Sequence, residues 1–409
     1  MHEPQAQTTL FTVVTPLGRP ATLSLETIDS KEPEFVAARL KGKRGKVRYA
    51  VVGLGYIAQI AILPAFSHAR ENSELTALVS SDPKKLKQLS RKYGVERTYS
   101  YEQFGDCLKS GEVDAVYIAL PNSMHRAYTD AAAQAGIHIL CEKPMALNET
   151  DCDAMIAATD EVHVKLMIAY RLHFERGNLN AVKMVNSGKI GDPRIFTSVF
   201  SQQIKPGNSR LQAGLGGGAL YDMGIYCINA ARYLFRDEPT EVFAWNMSSN
   251  DKRFSEVPEM TTALLKFPGD RVASFTTSFG AADRSVFEVV GTKGVLKMDP
   301  AYDMAEYLKS EITVDGRTSK TVFGKRDQFA PEIVYFSNCI LENKQPEPSG
   351  REGLADVRII QALLESADSN RPVTVAQVQP GRRPDPTQEI SKEPVAKPQL
   401  VRASSPGEA

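Results

Sequence analysis

The run Val47-Arg48-Tyr49-Ala50-Val51-Val52-Gly53-Leu54-Gly55-Tyr56-Ile57-Ala58 decides the fold. Val47 to Val52 read as a short apolar strand, and Ile57 to Ala69 read as the helix that follows. A Gly-x-Gly-x-x-Ala motif at a strand-to-helix junction is the context that the dinucleotide fingerprint requires. Gly53 suits a tight turn, Gly55 lets a pyrophosphate approach the backbone, and the small Ala58 lets helix and strand pack closely. An ordinary tight turn is the competing reading. The placement between strand and helix, with N–H groups free at the helix start, favours phosphate binding.

Working outward, Leu75 to Ser80 read as a second strand, Pro83 to Tyr93 as a charged helix and Ala115 to Leu120 as a third strand. His125 to Ala135 read as a helix and Ile137 to Cys141 as a further strand. Strands that are apolar throughout and separated by helices predict a doubly wound parallel sheet, a Rossmann domain over residues 47–170. After residue 170 the pattern becomes strand after strand, from Phe196–Gln203 to Val295–Met298. Ala273, Phe275 and Phe279 share one parity with Thr277, while Ser274, Thr276 and Ser278 take the other. That period of two predicts a mainly antiparallel, open-faced sheet over residues 171–375, closed by helices at Pro331–Asn343 and Arg351–Ser366.

The ends differ from this frame. In residues 1–46, Leu10–Val14 and Ala21–Leu25 predict a hairpin, and Lys41 to Lys46 a basic, solvated linker. Residues 376–409 are expected to be a disordered tail, because Pro380 to Ala409 hold six prolines and no aromatic residue.

Composition narrows the function. The 409 residues carry 49 Lys plus Arg and 49 Asp plus Glu, a neutral balance that argues against a nucleic acid or anionic membrane as partner. A small molecule fits better. The Met1-His2-Glu3-Pro4-Gln5 start reads as no secretory signal, which makes the cytoplasm the expected compartment. Cys107, Cys141, Cys152, Cys227 and Cys339 are scattered, so reduced core thiols are expected rather than disulfides or a metal site.

Chemistry gathers at the strand ends. Ser80 and Ser81 stand where an NAD site usually carries an acid for the ribose hydroxyl, and Lys84 and Lys85 lie close by. That stretch favours a 2′-phosphate and hence NADP, with Asp82 as the counter-argument. Leu120-Pro121-Asn122-Ser123-Met124-His125 and Cys141-Glu142-Lys143-Pro144 fall at two further carboxyl ends, where ligands of open α/β sheets bind. Pro144 restricts the residue before it, so Lys143 is aimed in one direction, towards a developing alkoxide or a moving proton. His125 sits either near a nicotinamide or simply at the start of its helix. Downstream, Gly216-Gly217-Gly218 leads into a helix on which Asp222 and Tyr226, four apart, share a face. A phenol beside a carboxylate and a lysine forms a proton relay between a hydroxyl and a carbonyl; a helix cap and a core tyrosine are the plainer alternatives.

Taken together, the Gly-x-Gly fingerprint, Glu142-Lys143-Pro144 and the Gly-Gly-Gly…Asp222-x-Gly segment resemble the Gfo/Idh/MocA oxidoreductases. Ala119-Leu120-Pro121-Asn122-Ser123, Leu166 to Arg171 and Asp222-Met223-Gly224-Ile225-Tyr226 resemble its glucose-fructose and aldose-aldose oxidoreductase branch, in which Tyr226 stands where many members carry His. The resemblance runs from about Val47 to about Val375. It implies NADP(H) held between a Rossmann domain and an open sheet, and hydride transfer at C1 of an aldose. Lys143, Asp222 and Tyr226 fall on the catalytic positions, with Tyr226 the proton donor and acceptor. Ser80 and Lys85 match contacts to the 2′-phosphate, and Gly53, Gly55, Tyr56, Ile57, Leu120, Asn122, His125, Glu142, Lys143 and Arg171 match the rest of the cofactor site. Tyr170 and His173 join Lys143, Asp222 and Tyr226 as expected substrate contacts. The branch also implies a cofactor that stays bound while a second sugar reoxidises it, and a homo-oligomer, dimer or tetramer, built on the second sheet. A conventional NADP-dependent aldose or polyol dehydrogenase that releases its cofactor and a non-catalytic sugar or NADP sensor are the alternatives.

Overall fold

The computed structural model describes residues 8–14, 20–26, 45–304, 306–378 and 383–407. Strands β1 (Thr8–Val14) and β2 (Pro20–Glu26) pair antiparallel, the hairpin read from the sequence. Most of its turn, and the basic linker up to residue 44, lie outside the described residues.

The first sheet is wholly parallel. It comprises β3 (Val47–Val52), β4 (Ser73–Val79), β5 (Arg97–Tyr99), β6 (Ala115–Ile118), β7 (His138–Glu142) and β8 (Leu166–Ala169), in the order β5-β4-β3-β6-β7-β8. Every residue of β3, β6 and β8 is buried, because helices cover both faces and leave no polar side to alternate with. The helix Ala330–Leu341 returns from far down the chain to one face, where Tyr49 Oη and Ser337 Oγ meet at 2.7 Å.

The second sheet has nine strands: β9 (Pro193–Ser201), β10 (Glu241–Met247), β11 (Met260–Phe267), β12 (Arg271–Ser278), β13 (Arg284–Gly291), β14 (Gly294–Met298), β15 (Leu308–Val314), β16 (Arg317–Phe323) and β17 (Val373–Thr374). Their order is β16-β15-β14-β13-β9-β12-β11-β10-β17, antiparallel except where β9 meets β12. One face packs on the helices Ile225–Phe235 and Gly350–Ser369. The other is open, leaving Ile195, Trp245, Leu264 and Val272 about two-fifths exposed. Period-two burial along β11 and β12 is the alternation expected from the sequence. The edge strand β16 went unread because it is exposed at six of its seven positions and has no apolar face to signal a strand. No helix among the described residues is long and apolar enough to cross a membrane, and all five cysteines are free and buried.

Beneath the second sheet, Arg232 is 1% exposed and ion-paired to Glu238 (2.6 Å), Glu352 (2.8 Å) and Asp356 (2.6 Å). Replacing Arg232 with Met would leave three buried carboxylates short of their counter-charge. A loss of about 3–5 kcal/mol in urea denaturation is expected, and a loss under about 1 kcal/mol would show that the cluster relaxes without it.

One expectation fails. Of the segment 376–409, residues 383–407 are not disordered but are docked along the molecule. Arg383 pairs with Glu238, Gln388 Nε2 donates to Glu347 O (3.0 Å), and Asp327 N donates to Lys392 O (3.2 Å). Ile390 and Val401 pack against a buried cluster of the first sheet. Composition misjudged this stretch because its order comes from partners supplied by distant residues, and because proline reduces the entropy that ordering costs.

Candidate active site

A cleft of about 1110 Å³ opens between the carboxyl ends of the first sheet's strands and the second sheet. Gly53, with φ +96°, makes the turn out of β3, and a Cβ there would lie 2.4 Å from Ala119 O. Only glycine fits that approach. At Gly55 the opposite holds, since a Cβ would meet nothing within 4 Å, and the backbone borders open space at the helix start. This cradle, tight behind and open in front, fits the pyrophosphate of a dinucleotide. The following helix is π-helical over Ala58–Ile62 before Leu63–Ala65.

Ser80, Lys85, Leu120, Asn122, Glu142 and Arg171 line the same cleft, together with Tyr56 and Ile57. Asp82 proves to be the N-cap of the helix Pro83–Tyr93, accepting from Lys84 N (2.9 Å) and Lys85 N (3.2 Å). Burial lowers the Lys85 ammonium, and Asp82 partly restores it. Asn122 Nδ2 donates to Gly216 O at 2.7 Å, tying the loop after β6 to the glycine run of the second half.

The three residues read as catalytic come together. Lys143 Nζ donates to Asp222 O (2.7 Å) and to Asp222 Oδ1 (3.2 Å), and it lies 4.7 Å from the centroid of the Tyr226 ring. Asp222 sits in a π-helical turn, Leu220–Gly224, that feeds the α-helix Ile225–Phe235 carrying Tyr226. Such turns often mark functional sites, because the widened ladder re-aims side chains. Asp222 caps nothing there, and its second oxygen accepts from Arg210 Nε at 2.7 Å. Burial alone would raise the Asp222 carboxyl; Arg210 and Lys143 outweigh it and hold the group well below the usual carboxylate range. Burial likewise disfavours the Lys143 ammonium, but Tyr226, Asp222 and Glu142 carry it above its ordinary value. The Tyr226 ring is braced by Phe200 (5.5 Å) and Tyr302 (5.9 Å), with the Arg171 guanidinium 5.1 Å from its centroid. Arg171 is itself fixed by Gln328 and by Tyr302 O (2.5 Å). The cluster is thus a phenol at a cleft wall beside a buried ammonium whose counter-ion is locked.

Two histidines named from the sequence stand elsewhere. His125 is fully buried, with Nδ1 2.9 Å from Pro144 O and Nε2 3.0 Å from Leu120 O, so it braces two loops from behind and does not line the cleft. His173 is buried at Asn229 Oδ1 (2.8 Å), and burial lowers it to about 4. It stacks on Tyr170 at 5.4 Å, and Tyr170 borders a small pocket behind Tyr226 and not the cleft itself. Sequence spacing cannot separate a histidine facing a cleft from one a residue or two behind it. Arg210 was missed for a related reason. It lies in a single 3-10 turn, Ser209–Leu211, too short to show a period, and a Cβ at Gly217 would sit 2.3 Å from Arg210 O, so the glycine run is what lets this turn lie against Asp222. The Lys143-Pro144 bond is cis.

Residues 47–170 match the model of the GFO_IDH_MocA oxidoreductase family, NAD-binding Rossmann fold, and residues 179–297 match the GFO/IDH/MocA C-terminal domain. A D-xylose 1-dehydrogenase [NADP(+)] from Haloarcula marismortui is 33% identical over 335 residues, covering 80% of this chain and 92% of that protein. Among solved structures, aldose-aldose oxidoreductase from Caulobacter crescentus, complexed with glycerol, superposes with a TM-score of 0.77 at 38% identity, over 81% of this chain and 100% of that one. A 3-ketoreductase from Actinomadura kijaniata, in complex with NADP and TDP-benzene, gives 0.72 at 28% identity, over 78% and 98% of the two chains.

Proposed function

This chain belongs to the GFO/IDH/MocA oxidoreductases, and from that membership we propose that it is an NADP(H)-dependent oxidoreductase acting at C1 of a free aldose. The observation that carries the reading is the meeting of Lys143, Asp222 and Tyr226 at the wall of the nucleotide cleft. A bound nicotinamide supplies the acceptor or donor of one hydride. In the oxidation direction, Tyr226 as its phenolate takes the proton of the C1 hydroxyl while the C–H bond breaks, the hydride leaves for the nicotinamide and the carbonyl forms; in the reverse direction the phenol returns that proton. Lys143 places a positive charge beside the phenol and the sugar oxygen, where negative charge develops. Asp222, held by Arg210, is a positioning residue that keeps the Lys143 ammonium aimed.

A neutral sugar suits the remaining wall. Asp283, Asp299 and Asp303 border the cleft, with the rings of Phe200 and Tyr302. Carboxylates accept hydrogen bonds from vicinal hydroxyls, and aromatic faces cover the apolar side of a pyranose. Asp299 is paired with Arg284 through two contacts (2.6 and 2.8 Å), and burial raises the Asp303 carboxyl. The likeness to aldose-aldose oxidoreductase supports a cofactor retained through turnover, whereas the D-xylose 1-dehydrogenase relative supports one released in each cycle.

Purified chain, desalted and incubated with single aldoses and no added nucleotide, separates these readings. A reduced-nicotinamide absorbance that grows with an aldose, survives a second desalting and disappears with a second sugar supports retention. A signal that requires added NADP+ supports release. No signal with any aldose, with or without NADP+, refutes an aldose as substrate.

A further inference from the structure

The C-terminal segment, beyond both family-matched regions, crosses the mouth of the nucleotide cleft. On the first sheet's side, Lys392 Nζ meets Glu71 Oε2 at 2.7 Å, and Lys92 Nζ donates to Gln399 O at 3.2 Å. The buried Gln59 amide then clasps Val401 from both sides. Val401 N donates to Gln59 Oε1 (2.7 Å), while Gln59 Nε2 donates to Val401 O (2.9 Å) and to Leu54 O (2.9 Å), inside the glycine fingerprint itself. Beyond it, Arg402, Ser405 and Pro406 line the cleft. The crossing ends on the second half of the chain, where Lys205 N donates to Pro406 O (2.9 Å) and Ile204 bridges to Gly407.

Charge at the crossing is specific. Asp82 Oδ1 is taken by the helix cap, and Asp82 Oδ2 lies 3.2 Å from Arg402 Nε. The one acid at the end of β4 that suits a ribose hydroxyl therefore has both oxygens engaged. Ser80 and Lys85 face the same corner of the cleft as Arg402, so two cations and a hydroxyl converge where the adenosine end of a dinucleotide would lie.

We propose that residues 399–407 are a strap that completes the nucleotide site, with Arg402 contacting the 2′-phosphate of NADP(H), and that the strap must lift before the dinucleotide exchanges. The proposal rests on the NADP(H) reading above and deepens it. Arg402 is a specificity residue, and Gln59 positions it by holding the neighbouring peptide. Retention follows without a covalent link, because leaving the cleft requires breaking the contacts at Val401 and Pro406.

The test reads nucleotide binding and needs no sugar. NADPH and NADH are titrated by fluorescence into the full-length chain, Arg402→Ala and a chain ending at Pro398, and bound NADPH is chased with NADP+ in a stopped-flow instrument. Arg402→Ala, which alters a largely exposed side chain, is expected to weaken NADPH by about tenfold or more and NADH by less than about twofold. The truncated chain is expected to release NADPH about tenfold faster or more. Equal weakening of both nucleotides by Arg402→Ala, or of neither, overturns the recognition. An unchanged release rate in a truncated chain that still binds NADPH overturns the strap. Nucleotide results as expected, in a chain that oxidises no aldose, would uphold the strap and remove the sugar assignment instead.

Discussion

Replacing Tyr226 with Phe is expected to lower kcat by about 10²–10⁴-fold while leaving NADPH affinity within about twofold. The substitution removes one oxygen and keeps the ring, so the contacts with Phe200 and Tyr302 and the cations at Lys143 and Arg171 persist. Binding of the nucleotide depends on the glycine loop and the corner at Ser80, none of which touches the phenol oxygen. Steady-state kinetics with the best aldose, alongside NADPH titration, checks both halves. A variant retaining more than about a tenth of wild-type kcat would remove Tyr226 from the proton path.

Lys143→Met carries the second large effect, a fall in kcat of about 10²–10³-fold. Its pH behaviour distinguishes it from simple damage. The Asp222 carboxyl is depressed, so the stability it contributes is present above the ordinary carboxylate value of about 4 and is lost only as pH falls through its lower folded value. The Lys143 ammonium is raised, so its contribution is present below its ordinary value of about 10.4 and is lost only as pH rises through its higher folded value. Between about pH 5 and 9 the pair stays ionised. The deficit of Lys143→Met should therefore be the same across that window. A deficit that vanishes at either end would mean that a different group carries the charge. Lys143→Arg is expected not to rescue, since a guanidinium is larger than the compact ammonium that donates to Asp222 O and Asp222 Oδ1 and spreads its charge over a fixed planar fork.

How much was legible follows from where each residue sits. Gly53, Ser80 and Lys143 each follow directly on a strand of the first sheet and Asn122 comes four residues after one, so recognising the strand was enough to place the residue at the cleft, whereas Arg171, two residues past β8, was named only through the family resemblance. Asp222 and Tyr226 were found through helical spacing, and the π-helical turn that holds Asp222, which the sequence does not announce, leaves both on the cleft. Of the two readings of His125 the plainer one holds, since it is the first residue of the helix His125–Gln134 with its ring behind the cleft, while His173, expected at the substrate, is buried behind it as well. Full burial turns both rings towards backbone or amide partners instead of solvent.

The linear pattern was sufficient for everything that depends on neighbours in the chain. It contained the parallel sheet, the glycine turn, the open antiparallel sheet and the lysine, aspartate and tyrosine of the site, because apolar runs, period-two alternation and cap chemistry act over a few residues. Folding was needed for whatever depends on the meeting of distant segments. Arg210 neutralising Asp222, the Asp82 carboxylate closed off by its own helix and by Arg402, and a proline-rich end laid across the cleft are all of that kind. Each rests on a hydrogen bond or ion pair whose partner is set by tertiary approach, and such a partner leaves no local period in the sequence.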